Sequence, residues 1–378
     1  MDKKGLYIVF HGFADYSGIT QKIHAQVKAF NECGISMQLC YQDVDSNGVS
    51  LIKVDKDQIH SFGKGLKSKI LKRFNFKPIK DYILNNSISF VYIRHYANAS
   101  PFLVSFTKSL RKNGVRVLLE IPTYPYDSEF KEAGTEDRIK HEIDKIYRDR
   151  LGRNLDYICT FTDDNVIFGC KTIKLSNGID FDRIPVKSKV RKINKNIDLI
   201  AVGELHYWHG FDRILKGLSE YYKSNPDRKV ILHIVGKPTT SSGEELQALA
   251  KTLGINDYVI FHGPMFGQYL DELFNICDVA VGSLGRHRSN ISSIKPLKNR
   301  EYAARGIPFF YSETDPDFES QPYVLKMPAN ETAIPIEDII KFYDSFALSP
   351  EEIRSTIEPA LSWNSQMKKV IDTSYPLA

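Results

Sequence analysis

The segment with the richest chemistry in this sequence runs from residue 294 to residue 309, where three cations precede one carboxylate. Lys295, Lys298 and Arg300 stand just before Glu301 at the predicted opening of a helix. Cations at a helix start suit a diphosphate, because the helix dipole adds to their positive charge. Glu301 has the acceptor oxygens to bind both hydroxyls of a ribose. The segment therefore predicts a nucleotide site; the simpler interpretation is a basic surface turn before a core helix.

Two further loops join a predicted strand to a predicted helix. Gly12 and Gly18 bracket the first loop, and the second contains Gly203, His206 and His209. Glycine at such a turn lets backbone amides and a helix N-terminus approach a ligand. The first loop has neither GxGxxG spacing nor a ribose-binding acid, so a dinucleotide fingerprint is absent and a plain turn stays open. The two histidines would need a third ligand from elsewhere to hold a metal, so we expect none.

These loops need a scaffold, and the sequence alternates short apolar runs with patterns of helical period. Strands separated by helical patterns indicate βαβ units and a parallel sheet. Predicted strands are 6–10, 36–42, 89–93, 115–121, 157–161, 171–175, 198–202, 229–235, 259–262, 278–282 and 307–311. Predicted helices are 19–33, 101–113, 210–222, 243–253, 268–275, 298–305 and the segment 350–378.

Two halves with the same pattern predict an α/β protein of two Rossmann-like domains with parallel sheets that face each other. With 378 residues, two domains are the ordinary expectation. The lysine-rich stretch 184–196 is the candidate linker. We expect one domain at 1–187, completed by a returning helix at 362–378, and a second domain at 188–361.

The overall charge limits the classes of partner. A formal net charge of +5 is too weak to indicate binding to nucleic acid. Two basic runs, 64–80 and 187–195, are either solvated surface or a site for anionic lipid headgroups. Five scattered cysteines form no CxxC pair, which indicates reduced thiols and a cytoplasmic protein. No apolar run approaches the length of a membrane span or a signal peptide.

The second half resembles the donor domain of family-4-like retaining glycosyltransferases with the GT-B fold (glycosyl transferases group 1). The resemblance rests on motifs that occur in the family's order. They are Val202-Gly203, Gly210, His233-Ile234-Val235-Gly236, Phe261-His262-Gly263, Asp278 and Glu301-Tyr302-Ala303-Ala304-Arg305-Gly306-Ile307-Pro308. The first half resembles the acceptor domain more loosely, and a last helix around Trp363 fits the GT-B habit of crossing back to the first domain.

The resemblance implies an enzyme that moves a sugar from a nucleotide-diphosphate sugar to a glycan or lipid-linked acceptor, with retention of configuration and without a metal or other cofactor. It also implies bacterial surface polysaccharide synthesis, in the cytoplasm or at the inner face of an anionic membrane. Glu120 and His95 are expected near the acceptor as orienting or proton-handling groups. The expected donor-binding residues are Gly18, Gly203, His209, Gly236, Lys295, Lys298, Arg300 and Glu301.

Several positions depart from the family's pattern. Ser293 stands where the first member of the family's carboxylate pair is expected, and Glu204 and His209 stand on or near its phosphate-binding arginine and lysine. Lys295, Lys298 and Arg300 are therefore expected to take over the phosphate. The family's histidine after the strand ending near Ile121 is missing. Two alternatives stay open: a catalytically silent nucleotide-sugar-binding partner of a polysaccharide-assembly complex, or a nucleotide-sugar epimerase or sugar phosphorylase.

Overall fold

The computed structural model describes residues 3–13, 18–130, 134–188, 196–237 and 242–375. The chain divides into two compact units: unit 1 is Met1–Ser176 with Trp363–Ala378, and unit 2 is Asn177–Ser362. The division falls before the predicted boundary at 187/188, because the residues in between bond to unit 2. The Ile179 amide donates to the Leu361 carbonyl (2.7 Å) and Arg354 donates to the Phe181 carbonyl (2.6 Å). Of the predicted linker, residues 189–195 lie outside the described residues.

Unit 1 is built on one sheet. Its strands are β1 (Lys3–Ile8), β2 (Ile35–Val44), β3 (Ser50–Val54), β4 (Asp57–Gly63), β5 (Phe90–Arg94), β6 (Arg116–Ile121), β7 (Tyr157–Thr160), β8 (Val166–Ile167) and β9 (Cys170–Lys174). Their order in the described part of the chain is β4-β3-β2-β1-β5-β6-β7-β9-β8. The pairs from β2 through β9 are parallel, which confirms the predicted βαβ pattern of this half.

An antiparallel hairpin at one edge of this sheet was absent from the sequence prediction. Strands β3 and β4 pair with each other, and β3 pairs with β2, both antiparallel. The turn between them consists of Asp55 and Lys56, and Asp55 has a φ of 53°. Two-residue hairpin turns usually carry glycine, and this one does not, so its sequence signal is weak.

The helices of unit 1 before residue 176 are α1 (Gly18–Glu32), α2 (Gly65–Phe74), α3 (Lys77–Asn85), α4 (Pro101–Lys112) and α5 (Thr135–Gly152). The start of α4 follows directly from the sequence: the Ser100 hydroxyl accepts a hydrogen bond from the Leu103 amide, and Pro101 takes the first helical position. Helices α1 and α4 lie close to the residues predicted for them.

Unit 2 is built on a second sheet in which every strand pair is parallel. Its strands are β10 (Ile197–Val202), β11 (Val230–Val235), β12 (Val259–Gly263), β13 (Val279–Val281), β14 (Phe309–Tyr311) and β15 (Val324–Lys326). Its helices are α6 (Phe211–Tyr222), α7 (Ser242–Thr252), α8 (Gln268–Ile276), α9 (Leu297–Arg305), α10 (Ile336–Ser345), α11 (Pro350–Ser355) and α12 (Glu358–Leu361). The described strand order is β12-β11-β10-β13-β14-β15.

The last helix, α13 (Trp363–Ser374), belongs to unit 1. It packs on α1, with Trp363, Met367 and Val370 buried. The predicted tail segment 350–378 is thus divided between the two units, since α11 and α12 belong to unit 2. The α/β class with two parallel-sheet units is confirmed.

Each sheet has a central strand at which the connections change direction. From β1 the chain crosses to β2 on one side, and β5 pairs on the other side; β10 has β11 on one side and β13 on the other. In open α/β sheets, ligands bind beyond the carboxyl ends of the strands at such a switch point. The fold therefore points to the residues that follow β1 and β5 in unit 1, and those that follow β10 and β13 in unit 2.

We expect Gly217→Ala to destabilise unit 2 although alanine is the better helix former. Gly217 lies in α6, and a Cβ atom there would overlap the carbonyl oxygen of Ile334. Overpacking costs about 1–3 kcal/mol and outweighs the propensity gain of about 1 kcal/mol, so the net loss is up to about 2 kcal/mol. Urea unfolding followed by circular dichroism measures it, with exposed Glu220→Ala on the same helix as control. A Gly217→Ala protein as stable as the control would contradict this packing.

Candidate functional site

Glycines allow close contact between the loops at the carboxyl edge of the unit 2 sheet. Gly203 follows β10 with a φ of 148°, and its amide donates to the Val235 carbonyl (2.9 Å). A Cβ atom on Gly236, which follows β11, would overlap the Gly203 carbonyl oxygen. Glycine at both positions, with backbone angles that other residues rarely adopt, lets the two loops touch. Close packing of the loops therefore explains why glycine occupies positions 203 and 236, which we predicted to bind the donor.

The loop after β10 also packs against the loop after β13. Gly210 has a φ of 66°, and a Cβ atom there would lie 2.6 Å from the Gly285 nitrogen. The Leu284 amide donates to the His209 carbonyl (2.8 Å), and the buried guanidinium of Arg213 donates to the Leu284 carbonyl. The ends of the two neighbouring strands are thereby fixed relative to each other.

Helix α9 directs two side chains, Tyr302 and Lys298, towards this edge. Tyr302 is fully buried; its hydroxyl donates to the Val281 carbonyl (3.0 Å) and accepts from the Val202 amide (3.2 Å), so it bridges β13 and β10. Lys298 lies one helical turn earlier on the same face. A Cβ atom at Gly203 would lie 3.2 Å from the Lys298 Nζ and 3.3 Å from the His209 Cε1. The structure therefore brings Gly203, His209 and Lys298 together.

Lys298 and His209 carry buried polar atoms that have no hydrogen-bond partner among the described residues: Nζ and Nδ1 respectively. Burial lowers the pKa of Lys298 to about 7, opposed by the charge of Glu313 and assisted by that of Arg286. Burial, with the charges of Lys298 and Arg286, holds the pKa of His209 well below its usual value. His209 is thus a neutral imidazole, and Lys298 supplies the positive charge.

Sequence reasoning missed a third member of this cluster, Glu313, which follows β14. Its side chain is 2% exposed, and neither carboxylate oxygen has a hydrogen-bond partner among the described residues. Burial raises its pKa to about 7, although the charges of Lys298 and Arg286 lower it. The only sequence signal for Glu313 was its position after a predicted strand. Arg286, which follows β13, has the same signal; its guanidinium lies over the Trp208 ring (5.4 Å).

Arg300 has a different role from the one predicted. It is fully buried, and its guanidinium forms ion pairs with Asp315 and Asp317. Asn299 also donates to Asp315 (3.0 Å). These contacts connect α9 to the loop after β14. They also neutralise the positive charge of Arg300, which we predicted to bind a diphosphate. We therefore correct Arg300 from a donor-binding residue to one that holds the frame around Lys298.

Glu301 and Lys295, also predicted to bind the donor, have partners within unit 2. Glu301 accepts a hydrogen bond from the Arg305 guanidinium (2.9 Å), which also bonds Asp271 (2.7 Å). Lys295 is half-buried, and its backbone carbonyl accepts from the side-chain amide of Asn177 (2.6 Å). The carboxylate predicted for ribose is therefore engaged with a cation of its own helix.

The described residues contain no group of three His, Cys, Asp or Glu side chains arranged to hold a metal. His206 stacks on Trp208 instead, with ring centroids 4.1 Å apart.

In unit 1, Gly18 is the first residue of α1 and is exposed; a Cβ atom there would have no neighbour within 4 Å. Its conformation thus imposes no steric need for glycine. The rest of the predicted loop, residues 14–17, lies outside the described residues.

Glu120 also differs from its predicted role. It is fully buried in β6 and forms ion pairs with Arg94 (2.5 Å) and Lys22 (3.1 Å). Gln26 (2.6 Å) and Tyr92 (2.8 Å) donate to its other oxygen. Burial alone would raise the pKa of Glu120, but these charges and hydrogen bonds outweigh it and hold the pKa below its usual value. A carboxylate with this many partners is a structural centre, so we correct its assignment as an acceptor-side catalytic group.

Lys22 completes this network from helix α1. Its ammonium lies over the Phe161 ring (4.0 Å) and the Trp363 ring (5.3 Å). Burial lowers the pKa of Lys22 to about 8, opposed by the charge of Glu120. The network therefore ties α1, the sheet and α13 of unit 1 together.

His95 follows β5 at the switch point of unit 1. It is buried, and its Nε2 lies 3.1 Å from the Tyr126 hydroxyl and 3.4 Å from Asp144 Oδ1. Tyr126 in turn donates to Asp144 (2.6 Å). The Nδ1 atom of His95 is buried without a hydrogen-bond partner among the described residues. His95 is thus an oriented imidazole with one nitrogen available, as a proton-handling group requires.

The chain resembles known proteins in both sequence and structure. Residues 182–311 match the sequence family described as Glycosyl transferases group 1. The structure resembles sucrose-phosphate synthase from Thermosynechococcus elongatus (TM-score 0.72, 13% identity, 99% of this chain and 98% of that chain). It also resembles a glycosyltransferase from Rickettsia africae (TM-score 0.66, 13% identity, 99% and 98%) and WaaG, a glycosyltransferase involved in lipopolysaccharide biosynthesis (TM-score 0.57, 13% identity, 99% and 100%). No curated protein sequence matches the chain. At these identities the structures establish the shared fold.

We expect Glu120→Gln to destabilise unit 1 strongly, since it leaves Lys22 and Arg94 buried without their carboxylate. The loss should be about 3–5 kcal/mol. The chain has two tryptophans, so in a Trp208→Phe background the fluorescence of Trp363 reports urea unfolding of unit 1.

The control for this measurement is Glu142→Gln, which removes an exposed salt bridge to Lys145 on α5 and should leave unfolding unchanged. A Glu120→Gln protein that unfolds with its parent would show that the buried network does not stabilise unit 1.

Proposed function

We propose that the chain is a glycosyltransferase that moves a sugar from a nucleotide-diphosphate sugar to a glycan or lipid-linked acceptor. The match of residues 182–311 to glycosyl transferases group 1 and the GT-B fold support this proposal. The observation that carries this proposal is the buried Lys298 ammonium beside Gly203, beyond the carboxyl ends of β10 and β13. A buried cation without a hydrogen-bond partner is costly in the protein alone and favourable once an anion binds it.

Several features support a diphosphate as that anion. Lys298 lies at a switch point, where α/β sheets bind nucleotides. Gly203 exposes backbone next to the ammonium, as close approach of a phosphate requires. Below a pH of about 7 the Lys298 ammonium is charged, and bound anion would raise its pKa and keep it charged at higher pH.

The same residues account for the chemistry of transfer. As the bond to the sugar breaks, negative charge grows on the departing diphosphate and the sugar becomes oxocarbenium-like. We assign the stabilisation of that charge to Lys298 and Arg286, with no metal needed for it. His209 contributes hydrogen bonding rather than charge, since its pKa is lowered. Gly203 and Gly236 shape the site through their backbones, and Lys295 remains a candidate at its margin.

On the acceptor side, we assign His95 as the group that handles the proton of the attacking hydroxyl. Its orientation by Tyr126 and Asp144 favours this role, as does its place after β5. Retention of configuration and a role in surface polysaccharide synthesis remain parts of the proposal. WaaG, one of the structures that this chain resembles, is involved in lipopolysaccharide biosynthesis.

We expect Lys298→Ala to weaken binding of the nucleotide part by about 10–100-fold, because a charge-assisted contact to phosphate is lost. Isothermal titration calorimetry with ADP, GDP, UDP and CDP measures this loss, and exposed Lys251→Ala on α7 is the matched control. Thermal unfolding checks that Lys298→Ala still folds, because the alanine removes a buried charge together with its attraction to Glu313.

Equal affinity of Lys298→Ala and the control for every nucleotide would end the donor assignment. Binding of a nucleotide sugar without transfer to any acceptor would instead favour a silent partner. Ser293, which stands in place of a carboxylate and pairs through its backbone with Thr314, is the observation behind that second candidate.

We further propose that the enzyme works in the cytoplasm at an anionic membrane surface, which it contacts through α2. Within the described ranges, no helix has the length and apolarity to cross a bilayer. Helix α2 instead exposes Leu66 and Ile70, four residues apart, and only its Ser68 is buried. Exposed lysines flank them at positions 64, 67 and 69. Exposed apolar side chains within a basic helix suit an anionic lipid surface. Of the second basic run, residues 189–195 lie outside the described residues.

We expect reversal of these three lysines to glutamate to abolish membrane binding. At about 1 kcal/mol for each lysine near an anionic surface, the partition coefficient should fall at least about 100-fold. Co-sedimentation with vesicles of phosphatidylglycerol and phosphatidylcholine, compared with phosphatidylcholine alone, measures this change. The control reverses exposed lysines of unit 2 at positions 223, 229 and 251. Equal loss in both variants would mean that net charge, and not α2, determines binding.

A further inference from the structure

The carboxylate of Glu313 stands out among the buried acids of unit 2. Its neighbour in sequence, Asp315, is also buried and is bonded by Arg300 and Asn299. Both oxygens of Glu313 lack a hydrogen-bond partner among the described residues, and its side chain is buried. The local packing thus satisfies one carboxylate completely and leaves the other with its full capacity to accept hydrogen bonds.

The position of Glu313 is fixed by backbone contacts on both sides. The Ile294 amide donates to the Thr314 carbonyl (2.9 Å), and the Thr314 amide donates to the Ser292 carbonyl (2.7 Å). The Glu313 carbonyl accepts from the Lys326 ammonium. The side chain is therefore held at the carboxyl end of β14, next to the strand β13 and its loop.

The groups around Glu313 indicate what it can bind. The positive charge of Lys298 lowers the pKa of Glu313, but no ion pair within the described residues joins the two side chains. The hydroxyl of Ser283, which follows β13, is likewise buried without a partner. The Glu313 carboxylate would repel a ligand that placed only anionic groups beside it. A ligand with hydroxyl groups next to an anionic group could donate hydrogen bonds to Glu313 and place the anion at Lys298.

We propose that Glu313 accepts hydrogen bonds from hydroxyl groups of the donor, on a ring adjacent to the diphosphate that Lys298 binds. This proposal rests on the donor-binding function proposed above. Glu313 is then a specificity-determining residue. It selects diphosphate esters in which the adjacent ring carries neighbouring hydroxyl groups. The hydroxyls belong either to the ribose or to the transferred sugar, and the experiment separates these two sources.

The test compares hydroxylated and deoxy probes by calorimetry in the wild-type chain and in Glu313→Gln. The first arm pairs the tightest-binding diphosphate of ADP, GDP, UDP and CDP with its 2′,3′-dideoxy form. The second arm pairs the glucose ester of that nucleotide with the 2-deoxyglucose ester. We expect the wild type to prefer the hydroxylated probe by about tenfold or more in one arm, since a hydrogen bond to a buried charged acceptor is lost. In Glu313→Gln that preference should fall to within about twofold.

Two controls make the outcome decisive. Glu337→Gln removes an exposed carboxylate of the same unit and should keep the wild-type preference, and Glu313→Asp tests whether a shorter carboxylate restores part of it. An unchanged preference in Glu313→Gln, or an equal change in affinity for both members of each pair, would overturn the proposal while leaving the donor site intact. Absence of any nucleotide binding in the wild type would instead refute the proposed function itself.

Discussion

Close backbone contact between the loops after β10, β11 and β13 is the constraint on which the site of unit 2 depends. Gly203, Gly210 and Gly236 occupy positions where a Cβ atom would displace a side chain or overlap neighbouring backbone. The contact brings the ends of neighbouring parallel strands together. Lys298 lies beside Gly203 because Tyr302, one turn later in α9, is bonded to both strands.

The two units use buried charge in opposite ways. In unit 1, Glu120 is surrounded by two cations and two neutral donors, so its charge is matched within the protein and stabilises the fold. In unit 2, Lys298 and Glu313 are buried with polar atoms that lack partners among the described residues. A buried polar group without a hydrogen-bond partner costs stability, and a ligand that bonds to it removes that cost. The contrast separates a structural network from a binding site more clearly than residue type does.

This contrast also explains why some of the predicted residues are corrected. Arg300 and Glu120 have the residue types and sequence positions of functional groups. Arg300 lies two residues from Lys298, yet it turns to Asp315 and Asp317, because a helix sends successive side chains to different faces. Spacing along the chain identified the right helix but could not say which of its cations was matched internally.

The sequence alone determined the class of fold, most of the strands and helices, and the resemblance of the second half to glycosyl transferases group 1. These features depend on periodicity, on glycine at strand ends and on motif order, all of which are local and can be read along the chain. It also identified Gly203, His209 and Lys298 as candidates. Only the tertiary structure decided which buried charges have partners, since those partners come from distant segments: Lys22 for Glu120, and the loop after β14 for Arg300. For the same reason the sequence gives Glu313 only a position after a predicted strand, because its distinguishing property is a buried carboxylate without hydrogen-bond partners among the described residues.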